Sequence, residues 1–269
     1  MYNAGFDMLV LFYSQVDVLL LIFVRVLAFF MVVPIISSQN ILSLGRIFLA
    51  LCVSVALFMS GIVTTVHYMD YVPGYIYLLL VEFLVGITIG YVAFAVFNLI
   101  FLSGQLIDQQ IGFAMVNVLD PMTQIQVPIV GNLFYFALVA MLLMTGGLHE
   151  LFFAFFASYQ LLPIGVSFVI GNSELAYYMV NLLVQSTVLA VRIAMPIVGT
   201  MLVINVALGI MVKTSPQMNI FSVGLPMKMI IGLVLLFAVM APQLGHILNL
   251  VLDMALEGMR EVMWGLRPR

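Results

Sequence analysis

Ionisable side chains that interrupt an apolar run are the residues best placed to do chemistry in this chain. Four stand out: Asp17, Arg25, Glu82 and Arg192. A charge at membrane depth is costly, so it faces protein or a water-filled cavity, where it serves as an interhelical bond, a proton relay or an ion-coupling site. Asp17 and Arg25 are eight residues apart, about 12 Å along a helix and about 80° around it, so they do not pair directly and each seeks a partner elsewhere. Arg25 alternatively snorkels, if its span begins late. Glu82 is followed by Gly86 and Gly90 at four-residue steps. Small residues at that spacing admit a neighbouring helix, which directs Glu82 into a helix interface. An interhelical hydrogen bond fits that placement, with a proton-relay role as the alternative.

Asn181, Gln185 and Arg192 share a second helical face, with Pro196 one turn further on. That polar stripe packs against another helix, lines a cavity or meets a partner subunit. The segment from Ser103 to Met122 is the most unusual. Ile107, Ile111, Ala114, Met115 and Val118 keep a helical period, but Gly112 and Asp120-Pro121 interrupt it. It is too polar to face lipid and too apolar for a free loop. A re-entrant or cavity-lining segment fits, because irregular backbone at membrane depth is tolerated only inside protein or against water. An interfacial connector is the alternative. The 20 methionines are compatible with a flexible seal around a variable object, and equally with ordinary packing.

Catalytic signatures are missing. His149-Glu150 lacks the second histidine of H-E-x-x-H, and neither a phosphate-binding G-x-x-x-x-G-K-[ST] loop nor a G-x-S-x-G elbow occurs. His67, His149 and His246 have no metal-ligand spacing. Cys52, the single cysteine, reads as a small buried thiol. The sequence therefore predicts no enzyme, no cofactor and no metal.

The elements that hold these residues belong to a membrane protein. Of 269 residues, 65% are hydrophobic and 7% charged, too few charges to coat a water-facing surface. A net charge of -3 without basic clusters argues against nucleic acid as a partner. Continuous apolar runs select helices over barrel strands. The runs are 8–36, 41–66, 72–103, 127–145, 148–170, 176–212 and 219–252, giving six or seven spans in one integral membrane subunit over 1–269. The run 176–212 would reach roughly 55 Å as one helix, so it kinks (at Pro196), tilts, or leaves the lipid within a larger assembly. The charged tail from Asp253 reads as a helix end leaving the membrane, or else as a short solvated or interfacial helix.

In order and spacing, these stretches resemble the FliR family of flagellar export-gate proteins, which is related to a subunit of type III secretion injectisomes. The match runs from Arg25-Val26-Leu27, Pro34 and Arg46 through Glu82, Gly86 and Gly90. It continues in Gly104-Gln105-Leu106-Ile107-Asp108-x-Gln110-Ile111-Gly112-Phe113, Asp120-Pro121, Pro128 and Gly146-Gly147-Leu148-His149. Its most specific block is Lys213-x-x-Pro216-Gln217-Met218-Asn219-Ile220-Phe221-x-x-Gly224-x-Pro226-x-Lys228. Lys213 stands where an arginine is common, and Leu148 precedes the histidine of the glycine turn.

The resemblance implies an all-α membrane protein in a helical hetero-oligomeric export gate of the bacterial inner membrane, within the flagellar basal body. FliP-like and FliQ-like membrane proteins would share the pore, FlhB-like and FlhA-like proteins would complete the apparatus, and unfolded flagellar subunits would be the cargo. Ile111, Gly112, Phe113, Ala114, Met115, Asp120 and Pro121 would form a plug or gate. Arg25, Glu82, Gly86, Gly90, Asn181, Gln185 and Arg192 would be intramembrane packing residues. Lys213, Pro216, Gln217, Asn219, Phe221, Gly224, Pro226 and Lys228 would form a subunit-contact loop. Two rivals stand: an injectisome export-gate subunit, and a small secondary transporter with a polar site at Glu82 and Arg192 beside the Pro196 break.

Overall fold

The structure, a computed structural model, describes residues 3–37, 42–61, 72–113, 128–165, 173–214 and 224–267. Its elements are α1 (Asn3–Val32), α2 (Pro34–Ser37), α3 (Ser43–Met59), α4 (Val72–Ile111), α5 (Ile129–Thr145), α6 (Gly147–Leu161), α7 (Ser173–Thr214) and α8 (Leu225–Met240). A single 3-10 turn at Ala241–Gln243 then leads into α9 (Leu244–Gly265). All of the regular structure among the described residues is helical, as an apolar environment demands of a chain that must satisfy its backbone internally. The chain forms two compact units, one built from Met1–Ala95, Leu148–Leu182 and Met254–Arg269, the other from Val96–Gly147 and Leu183–Asp253.

In the first unit α1 and α4 run parallel in a constant register. The Tyr75 hydroxyl donates to the Asp17 carbonyl at 3.1 Å, and Arg25 meets Glu82. Further along, Gly86 lies against Arg25 and Ala28, and Gly90 against Phe29 and Val32. The two hydrogen bonds join residues of α4 and α1 at offsets of 57 and 58 positions, and the glycines continue that register. Because α1 and α4 run the same way, the chain must return between them. The longer of the two described helices in that interval is α3, which packs on α1 and spans roughly 25 Å at 1.5 Å per residue. Phe29 stacks on Phe155 of α6 at 4.0 Å between ring centroids. The end of α9 packs on the start of α7, with Gly258 against Tyr178 and Leu182.

In the second unit the end of α4 and the start of α5 form an antiparallel pair. Gly104 abuts the backbone of Val130 and Gly131, and Gly131 lies against Phe101. Side chains from α4, α5, α7 and α9 (Ile100, Phe134, Leu138, Ile193 and Ile247) converge on one small apolar cavity.

Several expectations change. Among the described residues, four stretches are long and apolar enough to cross a membrane, Gln15–Val32, Val72–Ile111, Leu175–Met211 and Leu225–Gly265, or five if α5 and α6 together count as one broken span. That falls short of the six or seven expected, chiefly because α3, α5 and α6 are 17, 17 and 15 residues long. Gly104 does not end a helix: α4 runs on for 40 residues to Ile111, the cost of a mid-helix glycine, about 1 kcal/mol, being offset by close packing on α5. Helix α7 runs unbroken through Pro196. The tail continues α9, with Ala255, Met259, Val262 and Leu266 buried and Glu257, Arg260, Glu261 and Trp264 exposed on its other face. Cys52 is exposed on α3, on a face that the other described residues do not cover.

Candidate functional site

Arg25 is fully buried, and its guanidinium is engaged by three groups, the Glu82 carboxylate, the Leu162 carbonyl and the Tyr159 ring. Its Nε donates to a Glu82 carboxylate oxygen at 2.5 Å. Both terminal nitrogens donate to the Leu162 carbonyl at 3.0 Å. The ring of Tyr159 lies 4.4 Å from the guanidinium carbon, a cation–π distance. The Tyr159 hydroxyl in turn donates to the Ile22 carbonyl at 3.2 Å, so this ring is pinned to α1 at both ends.

The Leu162 carbonyl is available because α6 stops there. The last carbonyls of a helix have no intrahelical partner, and Pro163 cannot continue the ladder. A cation is the favoured occupant of that negative helix end. Arg267 does the same one residue earlier: its Nε donates to the Leu161 carbonyl at 3.2 Å, while its guanidinium lies 4.4 Å from the Trp264 ring. The sequence joins Glu82 to the glycine face correctly. Gly86 and Gly90 bring α4 close enough to α1 for the ion pair to form, since a Cβ at Gly86 would collide with the Arg25 carbonyl.

A second polar cluster lies beside the expected gate. Asp108, buried on α4, accepts from the Val130 amide through both carboxylate oxygens at 3.1 Å, and from the Gly131 amide at 3.4 Å. These are second- and third-position amides of α5, whose N-cap residue, Pro128, supplies no side-chain bond. An acid at a helix N-terminus satisfies orphan amides and matches the helix dipole. Ile111 is fully buried, and a Cβ on Gly232 of α8 would collide with its side chain. Gly112 closes α4 in the left-handed region at φ +97°, with its amide on the Asp108 carbonyl at 3.0 Å, and Phe113 is half-buried. Ala114, Met115, Asp120 and Pro121 lie outside the described residues.

The remaining expected residues are scattered. Asn181 is half-buried on α7, whereas Gln185 and Arg192 are exposed, and Arg192 pairs with no acid among the described residues. Lys213 is exposed at the end of α7, Gly224 is buried, Pro226 is exposed in the first turn of α8, and Lys228 is half-buried. Pro216, Gln217, Asn219 and Phe221 lie outside the described residues. Among the described residues no group of three or more His, Cys, Asp or Glu side chains could hold a metal ion.

A family model described as bacterial export proteins, family 1, matches residues 16–254. The chain belongs to that family. Within its reach lie the Arg25–Glu82 pair, the Asp108 clamp and the expected contact loop. Similar proteins include the flagellar biosynthetic protein FliR of Bacillus subtilis, 29% identical over 91% of this chain and 93% of that protein. The FliR protein of Aquifex aeolicus is 31% identical, over 81% of this chain and 83% of its own length. The Yop proteins translocation protein T of Yersinia pestis is 26% identical over 82% of this chain and 85% of its own. The resemblance to FliR proteins and to an injectisome counterpart is thereby borne out.

Sequence reasoning missed four contributors: Asp108, Tyr159, the Leu162 carbonyl and Arg267. Asp108 was visible as one of two acids, with Asp120, inside a half-polar segment, and Pro163 announced an uncapped helix end. Nothing in the spacing ties either to its partner.

Proposed function

We propose that this chain is a non-enzymatic channel subunit of a flagellar type III protein-export gate in the bacterial inner membrane. The observation that carries this is the alignment of nearly the whole chain, not one segment, with proteins named flagellar biosynthetic protein FliR. Its partners in the basal body are FliP-like and FliQ-like membrane proteins, with FlhB-like and FlhA-like proteins completing the apparatus, and its cargo is unfolded flagellar subunits.

The distribution of apolar surface leaves large faces for lipid or neighbouring subunits. The most apolar stretch of α4 is 56% buried, but those of α7 and of α8–α9 are only 22% and 17% buried. Long helices left this bare need cover from lipid or from other chains. Ile111, Gly112, Phe113, Ala114 and Met115, with Asp120 and Pro121, form the gate that blocks ions at rest. Lys213 through Lys228 contacts neighbouring subunits. The transporter reading is weaker, because Glu82 is engaged by Arg25 in a pair without solvent access. The injectisome reading keeps a specific support in the Yersinia relative.

Native mass spectrometry of the chain purified alone and with the FliP-like and FliQ-like proteins tests the assembly. One defined mixed complex supports the proposal; a stable homo-oligomer that ignores both partners sinks it. Deleting 111–118 tests the gate, with ion leak through an intact assembly as the expected result. Restored swimming, as opposed to restored effector secretion, separates flagellar from injectisome use.

A further inference from the structure

We infer that Asp108 is a positioning residue for the gate: it ties the end of α4 to the start of α5 and so fixes the residues on either side of the gate segment. This inference rests on the gate reading given under Proposed function.

Three observations converge on it. The carboxylate of Asp108 reaches across to the amides of Val130 and Gly131. One turn away on the same α4 face, Gly104 abuts the backbone of Gly131, so closely that any Cβ would drive the two helices apart. On the gate side, the Asp108 carbonyl holds the Gly112 amide, and Ile111 is seated on Gly232 of α8. Asp108 therefore uses its backbone to end α4 and its side chain to begin α5. It binds both stems of the connection from Gly112 to Pro128 at once.

A charge-assisted bond between two backbone segments in an apolar interior is stronger than a neutral one. It also has no alternative partner in water if it breaks. An ordinary N-cap would sit on the helix it caps, at position 128. Here that position is Pro128, with no side-chain acceptor, and the acceptor comes from another helix. An acceptor placed on α4 links two elements, whereas an acceptor at 128 would only stabilise α5. That difference makes the inference testable.

The test uses the assembled complex with its FliP-like and FliQ-like partners, reading resting ion conductance in cells and assembly by native mass spectrometry. Asp108→Leu keeps the size of the side chain and removes the acceptor. It is expected to assemble and to raise resting conductance about tenfold or more, as the loss of a charge-assisted bond biases a two-state gate. Asp108→Asn keeps one acceptor oxygen but not the charge and is expected to leak less than Asp108→Leu. The decisive variant adds Pro128→Asp to Asp108→Leu, giving α5 a cap of its own without restoring the link to α4. Continued leak in that double variant supports positioning. A closed gate in the double variant overturns the inference, because Asp108 would then be only a helix cap.

Replacing residues 111–113 by glycine is the parallel control. If that control leaks and Asp108→Leu does not, the inference fails and the gate reading stands. If neither leaks, the gate reading itself fails. If Asp108→Leu, Asp108→Asn and the double variant all fail to assemble, Asp108 serves folding and not the gate, which also overturns the inference.

Discussion

The guanidinium of Arg25 and the carboxylate of Glu82 meet at 2.5 Å although 57 residues separate them, and both side chains are almost wholly withdrawn from solvent. A buried pair of this kind is held by its secondary bonds as much as by attraction between the charges. Here the Leu162 carbonyl and the Tyr159 ring supply those bonds to the cation. Removing one partner leaves the other charged and unsatisfied. Arg25→Ala and Glu82→Ala should therefore each destabilise the chain by about 3–5 kcal/mol. Arg25→Lys should be intermediate, since an ammonium cannot serve the carboxylate and the carbonyl with a planar fork. Thermal unfolding of the detergent-solubilised chain checks this, with a double-mutant cycle on Arg25 and Glu82. Additive losses would show that the pair is not coupled.

Tyr159 performs two separable jobs, and two substitutions divide them. Tyr159→Phe removes the hydroxyl that donates to the Ile22 carbonyl but keeps the ring under Arg25, costing about 0.5–1.5 kcal/mol. Tyr159→Leu also removes the aromatic face, adding about 0.5–2 kcal/mol. Equal losses in the two variants, read from the same unfolding curves, would show that the ring contributes nothing as an aromatic.

The glycines give opposite expectations according to what surrounds them. A Cβ at Gly86 would overlap the Arg25 carbonyl and sit 2.7 Å from the Ala28 Cβ, so Gly86→Ala should cost about 1–3 kcal/mol through overpacking. Nothing lies within 4 Å of a Cβ at Gly199 or Gly209 on α7. There Gly→Ala should be neutral to stabilising by about 0.5–1 kcal/mol, because alanine loses less backbone entropy in a helix. Finding Gly86→Ala as benign as Gly199→Ala would remove the close α1–α4 approach.

How much of this was legible depended on the range of each interaction. The Glu82-Gly86-Gly90 face could be read directly, because four-residue spacing is a local property of a helix. Its partner could not, because Arg25 lies on another helix and parallel packing of α1 on α4 depends on the return of the chain between them. Gly104 misled in the opposite sense: as a glycine beside polar residues it reads as a break, yet its lack of a side chain is what lets α5 approach. In the tail, the helical spacing of Glu257, Arg260 and Glu261 shows the charged face directly, while what Ala255, Met259 and Val262 pack against on the other face could not be read from it.

The outer faces of α7 and α8 carry the last expectation, which concerns the assembly. Val203, Val206 and Ile210 are 67%, 57% and 60% exposed, and Ile230 and Val234 of α8 are 64% and 62% exposed. A charge there disturbs no contact among the described residues, so the Arg25 network should survive. At a lipid-facing position an arginine costs about 2.5–3.5 kcal/mol at mid-membrane, and long side chains relieve part of that by snorkelling. In a subunit interface the charge has no such escape, and association should fall steeply. Val206→Arg and Val234→Arg are thus expected to accumulate in the membrane at reduced levels and to lose the FliP-like and FliQ-like partners on co-purification. Cys52→Arg on the exposed face of α3 gives the comparison for a separate bare surface. If the α7 and α8 variants keep their partners in full, those faces meet lipid, and the subunit contacts lie elsewhere on the chain.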